Sequence, residues 1–187
     1  MKKLCYLLLT MSCIVACKSN QPSDPPKDDP VKYVDLGLPS GTLWKSVNEL
    51  NYSRDTTFYF RYYEAIDTFK TNVPTAEQWA ELVAYCQLEW VKERPVLDKD
   101  SVWTKCPGLK VIGINGDSIF LPAMGGRSVN GDECYVGIYG EYWSSDLYDS
   151  EGSKGLTFNS DTLYMGYYLY NDGLSVRLVM KADDKNN

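Results

Sequence analysis

Between residues 33 and 181 one stretch stands out for apolar residues at helical spacing; most of the rest reads as short apolar runs cut by Gly, Pro, Asn and Asp. Pro74 and Thr75 open that stretch, and Gln78 completes a capping-box pair with Thr75. Trp79, Leu82, Val83 and Cys86 then fall at i, i+3, i+4 and i+7, with Glu77, Glu81 and Gln87 on the opposite side. The spacing predicts one amphipathic helix over 75–87 that buries a single face. One helix among many strand-length runs makes the fold class α+β, with hairpins supplying most of the pairing.

Two hairpins are predicted. Residues 109–114 and 118–121 flank Asn115-Gly116, a dipeptide suited to the positive φ angles of a type I′ turn. Residues 163–170 and 174–180 flank Asn171-Asp172-Gly173, read as a three-residue turn with Gly in the left-handed position. Shorter strands are expected at 42–47, 57–62, 88–92, 142–144 and 155–158. Residues 123–140 hold five glycines and are too long for a simple connector, the kind of ordered loop that carries function.

The N-terminus reads as processing. Lys2 and Lys3 precede an apolar run over 4–14, and Ile14-Val15-Ala16-Cys17 has the lipobox pattern. A spanning helix needs about 20 apolar residues, more than this run supplies. The expectation is an export signal over 1–16, a lipid anchor on Cys17 and a Pro- and Asp-rich tether over 17–32. The single domain then occupies 33–181, and 182–187 form a charged tail. The expected location is the cell envelope, lipid-anchored at the outer membrane, with the leaflet and display at the surface left open.

Loss of Lys2 and Lys3 with the signal takes 19 basic groups to 17 against 25 acidic ones, a net charge of −8. An acidic chain without a basic cluster repels phosphate backbones, so nucleic acid is not an expected partner. The chain has no histidine, which removes the commonest general base, the His-dependent nucleophile triads and most zinc sites. No cysteine pair after Cys17 has Cys-x-x-Cys spacing, and Asn171-Asp172 reads as a turn and not a calcium pair, so no metal or cofactor is expected. An exported domain with Cys86, Cys106 and Cys134 has three disulfide pairings open to it. A Cys86–Cys106 bond would staple the helix end to the following strand.

Several segments together resemble a known family. Residues 33–44 (Tyr33-Val34-Asp35-Leu36-Gly37-Leu38-Pro39-Ser40-Gly41-Thr42-Leu43-Trp44), Pro74-Thr75 opening the helix, residues 115–123, Tyr142-Trp143-Ser144-Ser145 and Ser175-Val176-Arg177 are similar, in order, to the Fibrobacter succinogenes major paralogous domain of Bacteroidetes lipoproteins. The segment over 58–69 departs from the family's usual aromatic stretch, and Leu178 stands where members often have proline. The resemblance implies a C-type-lectin-like domain related in outline to sulfatase-modifying, formylglycine-generating proteins. Those enzymes use a cysteine pair late in the domain, whereas residues 135–187 contain no cysteine. The chain is therefore expected not to be an enzyme.

A non-catalytic binding or adhesion module for a glycan or protein ligand is the favoured reading; the alternative is a structural subunit of a fimbria-like surface assembly. Period-2 geometry proposes the ligand face. Leu163, Met165, Tyr167 and Leu169 are expected to face the core with Leu174, Val176, Leu178 and Met180. The other face carries Tyr164, Tyr168 and Tyr170 beside Arg177, and Trp143 and Arg127 complete the candidate surface. Tyr164 and Tyr168 are open to a second reading, cover by the 123–140 loop; Tyr170, beside the turn, is expected to be exposed.

Overall fold

The computed structural model describes residues 32–52, 58–97 and 103–182. The expected signal, Cys17, nearly all of the tether and the tail beyond residue 182 lie outside the described residues. In chain order the elements are β1 (Tyr33–Asp35), β2 (Thr42–Lys45), α1 (Tyr62–Phe69), a 3-10 turn (Lys70–Asn72), α2 (Ala76–Tyr85), β3 (Gln87–Leu97), β4 (Trp103–Ile112) and β5 (Ser118–Pro122). They continue with β6 (Gly126–Arg127), β7 (Glu133–Cys134), β8 (Gly140–Leu147), β9 (Gly152–Phe158), β10 (Leu163–Leu169) and β11 (Val179–Lys181).

The domain is α+β, and the strands pair antiparallel in four small sheets: β1-β2-β11, β3-β4-β5, β8-β9-β10 and the two-stranded β6-β7. Two buried clusters hold the layers together. The larger joins Trp79 and Leu82 of α2 to Trp44, Val111, Leu121, Tyr142, Leu156 and Phe158, so the helix is packed among all three larger sheets. The smaller gathers Tyr62 and Ala65 of α1 with Phe60, Val73, Trp143, Leu174 and Val176. Strand alternation sends Tyr142 and Trp143 into opposite clusters, which leaves β8 with core on both faces.

The predicted helix forms as α2, within the predicted span. Thr75 is its N-cap: the Thr75 hydroxyl accepts from Gln78 N at 3.1 Å and Gln78 Oε1 accepts from Thr75 N at 2.9 Å. The first hairpin also forms, as β4–β5, with a different turn. Gly116 N donates to Gly113 O at 3.0 Å and only Gly116 has positive φ, at 90°. The turn thus centres on Ile114 and Asn115, followed by a glycine bulge, in place of the type I′ turn.

Three expectations are corrected. Residues 163–170 do not pair with 174–180: β10 pairs with β9, closed by Asn159, whose Oδ1 accepts from Asp161 N and Thr162 N, both at 2.8 Å. That turn binds its own backbone, and the expected glycine turn does not form because Gly173 is extended and bridges Arg127. The expected strand over 57–62, whose first residue is outside the described ones, gives way to one bridge at Phe60 and then α1. Finally, Cys86, Cys106 and Cys134 are all free thiols, so Cys86 and Cys106 are not joined. Cys86 adjoins Gln87, which pairs with Ile112, while Cys106 pairs with Arg94. Six residue steps along the strand separate Ile112 from Cys106, about 20 Å, well beyond the roughly 7 Å that a disulfide spans between α-carbons.

Candidate functional site

The glycine-rich loop is built on short strands. Gly126 and Arg127 pair with Cys134 and Glu133, and Ser128 N donates to Asp132 O at 2.9 Å beneath the tip. On its other side Arg127 exchanges two backbone bonds of 2.7 Å with Gly173. Leu174 exchanges bonds of 2.9 and 3.1 Å with Phe60, and Ser175 accepts from Trp143 N at 3.0 Å. The segment after β10 is thereby stitched between the loop, the residues entering α1 and the edge of β8. This ties the loop to the smaller core cluster.

A cavity of about 90 Å³ opens at this junction, lined by Tyr59, Arg61, Glu64, Arg127, Ser128 and Asn171 among others. A space of that size admits one edge of a sugar ring or one side-chain head. The Arg127 guanidinium stands 5.8 Å from the centre of the Tyr59 ring and 3.9 Å from Glu133 Oε1. Tyr59 donates from its hydroxyl to Met124 O at 2.7 Å. Burial, reinforced by Glu133, pushes its phenol well above the ordinary range. Glu64 accepts from Arg61 N at 3.0 Å, which fixes the carboxylate at the start of α1. Among the described residues, Trp44 Nε1, Ser175 Oγ, Arg127 Nε and Ser128 Oγ are buried polar atoms without a hydrogen-bond partner. The last two belong to residues that line this cavity. A buried polar atom left unbonded costs about 1–3 kcal/mol.

Of the six residues proposed from sequence, Arg127 alone lines the cavity. Trp143 is fully buried, donates to Phe60 O at 2.6 Å and packs edge-on against Tyr62. Arg177 is 1% exposed and donates to Asn48 Oδ1 at 2.9 Å, Lys45 O at 2.8 Å and Phe120 O at 2.6 Å. Both are core residues: Trp143 sits in β8, which has core on both faces, and Arg177 sits in the buried segment that leads into β11. Tyr168 is half-buried, its hydroxyl 2.5 Å from Thr157 Oγ1 and its ring 6.1 Å from Trp143. Tyr170 is likewise half-buried and not free at the surface: its ring packs 5.1 Å from Tyr62 and 5.0 Å from Tyr63, and its hydroxyl donates to Asp149 O at 2.7 Å.

Tyr164 is exposed, but on the outer strand of its sheet and not at the cavity. The strand's supposed core face is also largely open, with Met165, Tyr167 and Leu169 exposed and Leu163 alone packed on the larger cluster. Sequence reading missed Tyr59, Arg61, Glu64, Ser128 and Asn171. Arg61-x-x-Glu64 ahead of the apolar spacing Ala65, Ile66, Phe69 is a helix-start signal that would have placed Glu64; nothing local marks Ser128.

Comparison of the chain with protein-family models, with curated proteins and with solved structures finds no match.

Proposed function

We propose that this chain is a non-catalytic, lipid-anchored binding module of the cell envelope that recognises a glycan or protein ligand at the Arg127 cavity. The observation that carries the reading is the cavity itself, a concave site on a tied-down loop where Arg127 Nε and Ser128 Oγ are buried without partners. Guanidinium donors, the Glu64 carboxylate, the Asn171 amide and the Tyr59 ring surround it. Sugar hydroxyls both donate and accept, so this mixture of donors and acceptors suits a glycan edge. Long loops on an α+β frame support a C-type-lectin-like domain, as the resemblance to the Fibrobacter succinogenes paralogous domain implies. Lipidation of Cys17, surface display and the absence of catalysis belong to the same proposal.

A glycan and host-protein array probed with the chain tests it. Arg127→Ala removes the cavity's donor from an ion pair too long to contribute much to stability, and should abolish array binding with the melting temperature nearly unchanged. Array binding retained at wild-type strength by Arg127→Ala would overturn the assignment. The alternative, a subunit of a surface assembly, is favoured by one feature, the open outer edge of β10.

A further inference from the structure

In the sheet β8-β9-β10, β10 is the outer strand. Its register with β9, continued by Asn159 N donating to Thr162 O and Tyr170 N donating to Glu151 O, turns the even-numbered backbone groups of β10 toward β9. The odd-numbered ones turn away. Leu169 is closed off there, because its N–H donates to Asp172 Oδ2 at 2.9 Å and its carbonyl accepts from Asp172 N at 2.9 Å. The N–H and C=O groups of Leu163, Met165 and Tyr167 remain, and among the described residues nothing bonds them.

Such an edge is ordinarily guarded by Lys, Pro or an inward charge. Residues 163–169 contain none of these, and Tyr164, Met165, Tyr167 and Leu169 are exposed at 52%, 37%, 42% and 42%. The free edge is also symmetric about its middle residue. An antiparallel copy centred on Met165 sets Leu163 opposite Tyr167 and Met165 opposite itself, so every free edge group on both copies finds a partner. The same register sets Tyr164 opposite Gly166, beside the Tyr168 ring that already leans over that glycine.

Charge is compatible with this register. Two copies of a chain of net charge −6 repel each other, and this uncharged strand is where they can approach. In the Met165-centred pairing Asp161 falls opposite Leu169, so the acidic residue that precedes the strand does not face an acidic residue of the partner.

We propose that β10 is a self-association edge: two copies of this chain pair β10 to β10, antiparallel, about a two-fold axis at Met165. The pairing leaves the Arg127 cavity of each copy unused by the contact, so the dimer presents two ligand sites together. The proposal stands apart from the identity of the ligand.

Sedimentation velocity of the purified full-length chain, over a series from micromolar to tens of micromolar, tests it. Wild type should pass from monomer to dimer. Met165→Lys and Met165→Glu each bring like charges together at the axis and should weaken the dimer about tenfold or more. An equimolar mixture of the two variants should restore a one-to-one dimer, which a merely misfolded variant would not do. A wild-type chain that stays monomeric throughout, or a Met165→Lys variant that dimerises as wild type does, would overturn the proposal.

Discussion

Arg177 carries a full charge into the core and meets three oxygens there, those of Asn48, Lys45 and Phe120. Burial lowers its pKa to about 10, which still leaves it charged at neutral pH. Replacing it with Met would strand those acceptors, at a cost on the order of 3 kcal/mol. Urea denaturation should show that loss while the folded variant keeps wild-type array binding. Tyr170→Ala should behave similarly and more mildly, because the ring packs against Tyr62 and Tyr63 without being fully enclosed. A Tyr170→Ala variant with unchanged stability and lost binding would return that ring to the ligand surface. At this scale the sequence misleads for a definite reason: Arg, Trp and Tyr are residues of binding sites and of satisfied cores alike, and only their hydrogen-bond partners tell the two apart.

Elements were legible where the signal was local and complete. α2 declares itself through Thr75, Gln78 and a four-residue apolar stripe, and β4–β5 through Gly116. Removing the cap with Thr75→Ala should cost about 1 kcal/mol in thermal denaturation. α1 has the same kind of stripe in Tyr62, Ala65, Ile66 and Phe69, but at eight residues it is shorter than the window over which helical period separates from strand. The partner of β10 was misjudged because turn residues flank it on both sides, and Asn159 captures its own backbone where Gly173 is claimed by Arg127. β8 offers a test of burial. Glu141 is held above the ordinary carboxyl range, first by burial, against the bond to Tyr168 that lowers it and with Asp172 raising it further. The folded state therefore favours the protonated form. This group's stabilising contribution is full below the unfolded value of 4.5 and is lost as pH rises through the raised folded value. Glu141→Gln should then be more stable than wild type at neutral pH and equal to it in acid. Urea titrations at the two pH values check this, and a variant less stable at neutral pH would contradict it.

Over the whole molecule, the 123–140 loop is held in place by the segment that follows β10. That residues 123–140 form an ordered loop could be read from their length and glycines; the loop's partners could not, because Gly173 and Tyr59 are distant in sequence and are brought to Arg127 only by the fold. Anchoring makes a prediction of its own: mass spectrometry of the native protein should show loss of residues 1–16 and a lipid on Cys17, and Cys17→Ala should stay unprocessed or soluble. On a membrane, a β10-paired dimer would hold two cavities at a fixed separation and raise avidity without any new contact to ligand. The most direct test of the central claim is hydrogen–deuterium exchange of the chain with the strongest array ligand. Protection confined to residues 125–134 and 171–174, together with the start of α1, is the result predicted for binding at the Arg127 cavity. Protection over 163–169 with the loop unchanged would contradict it.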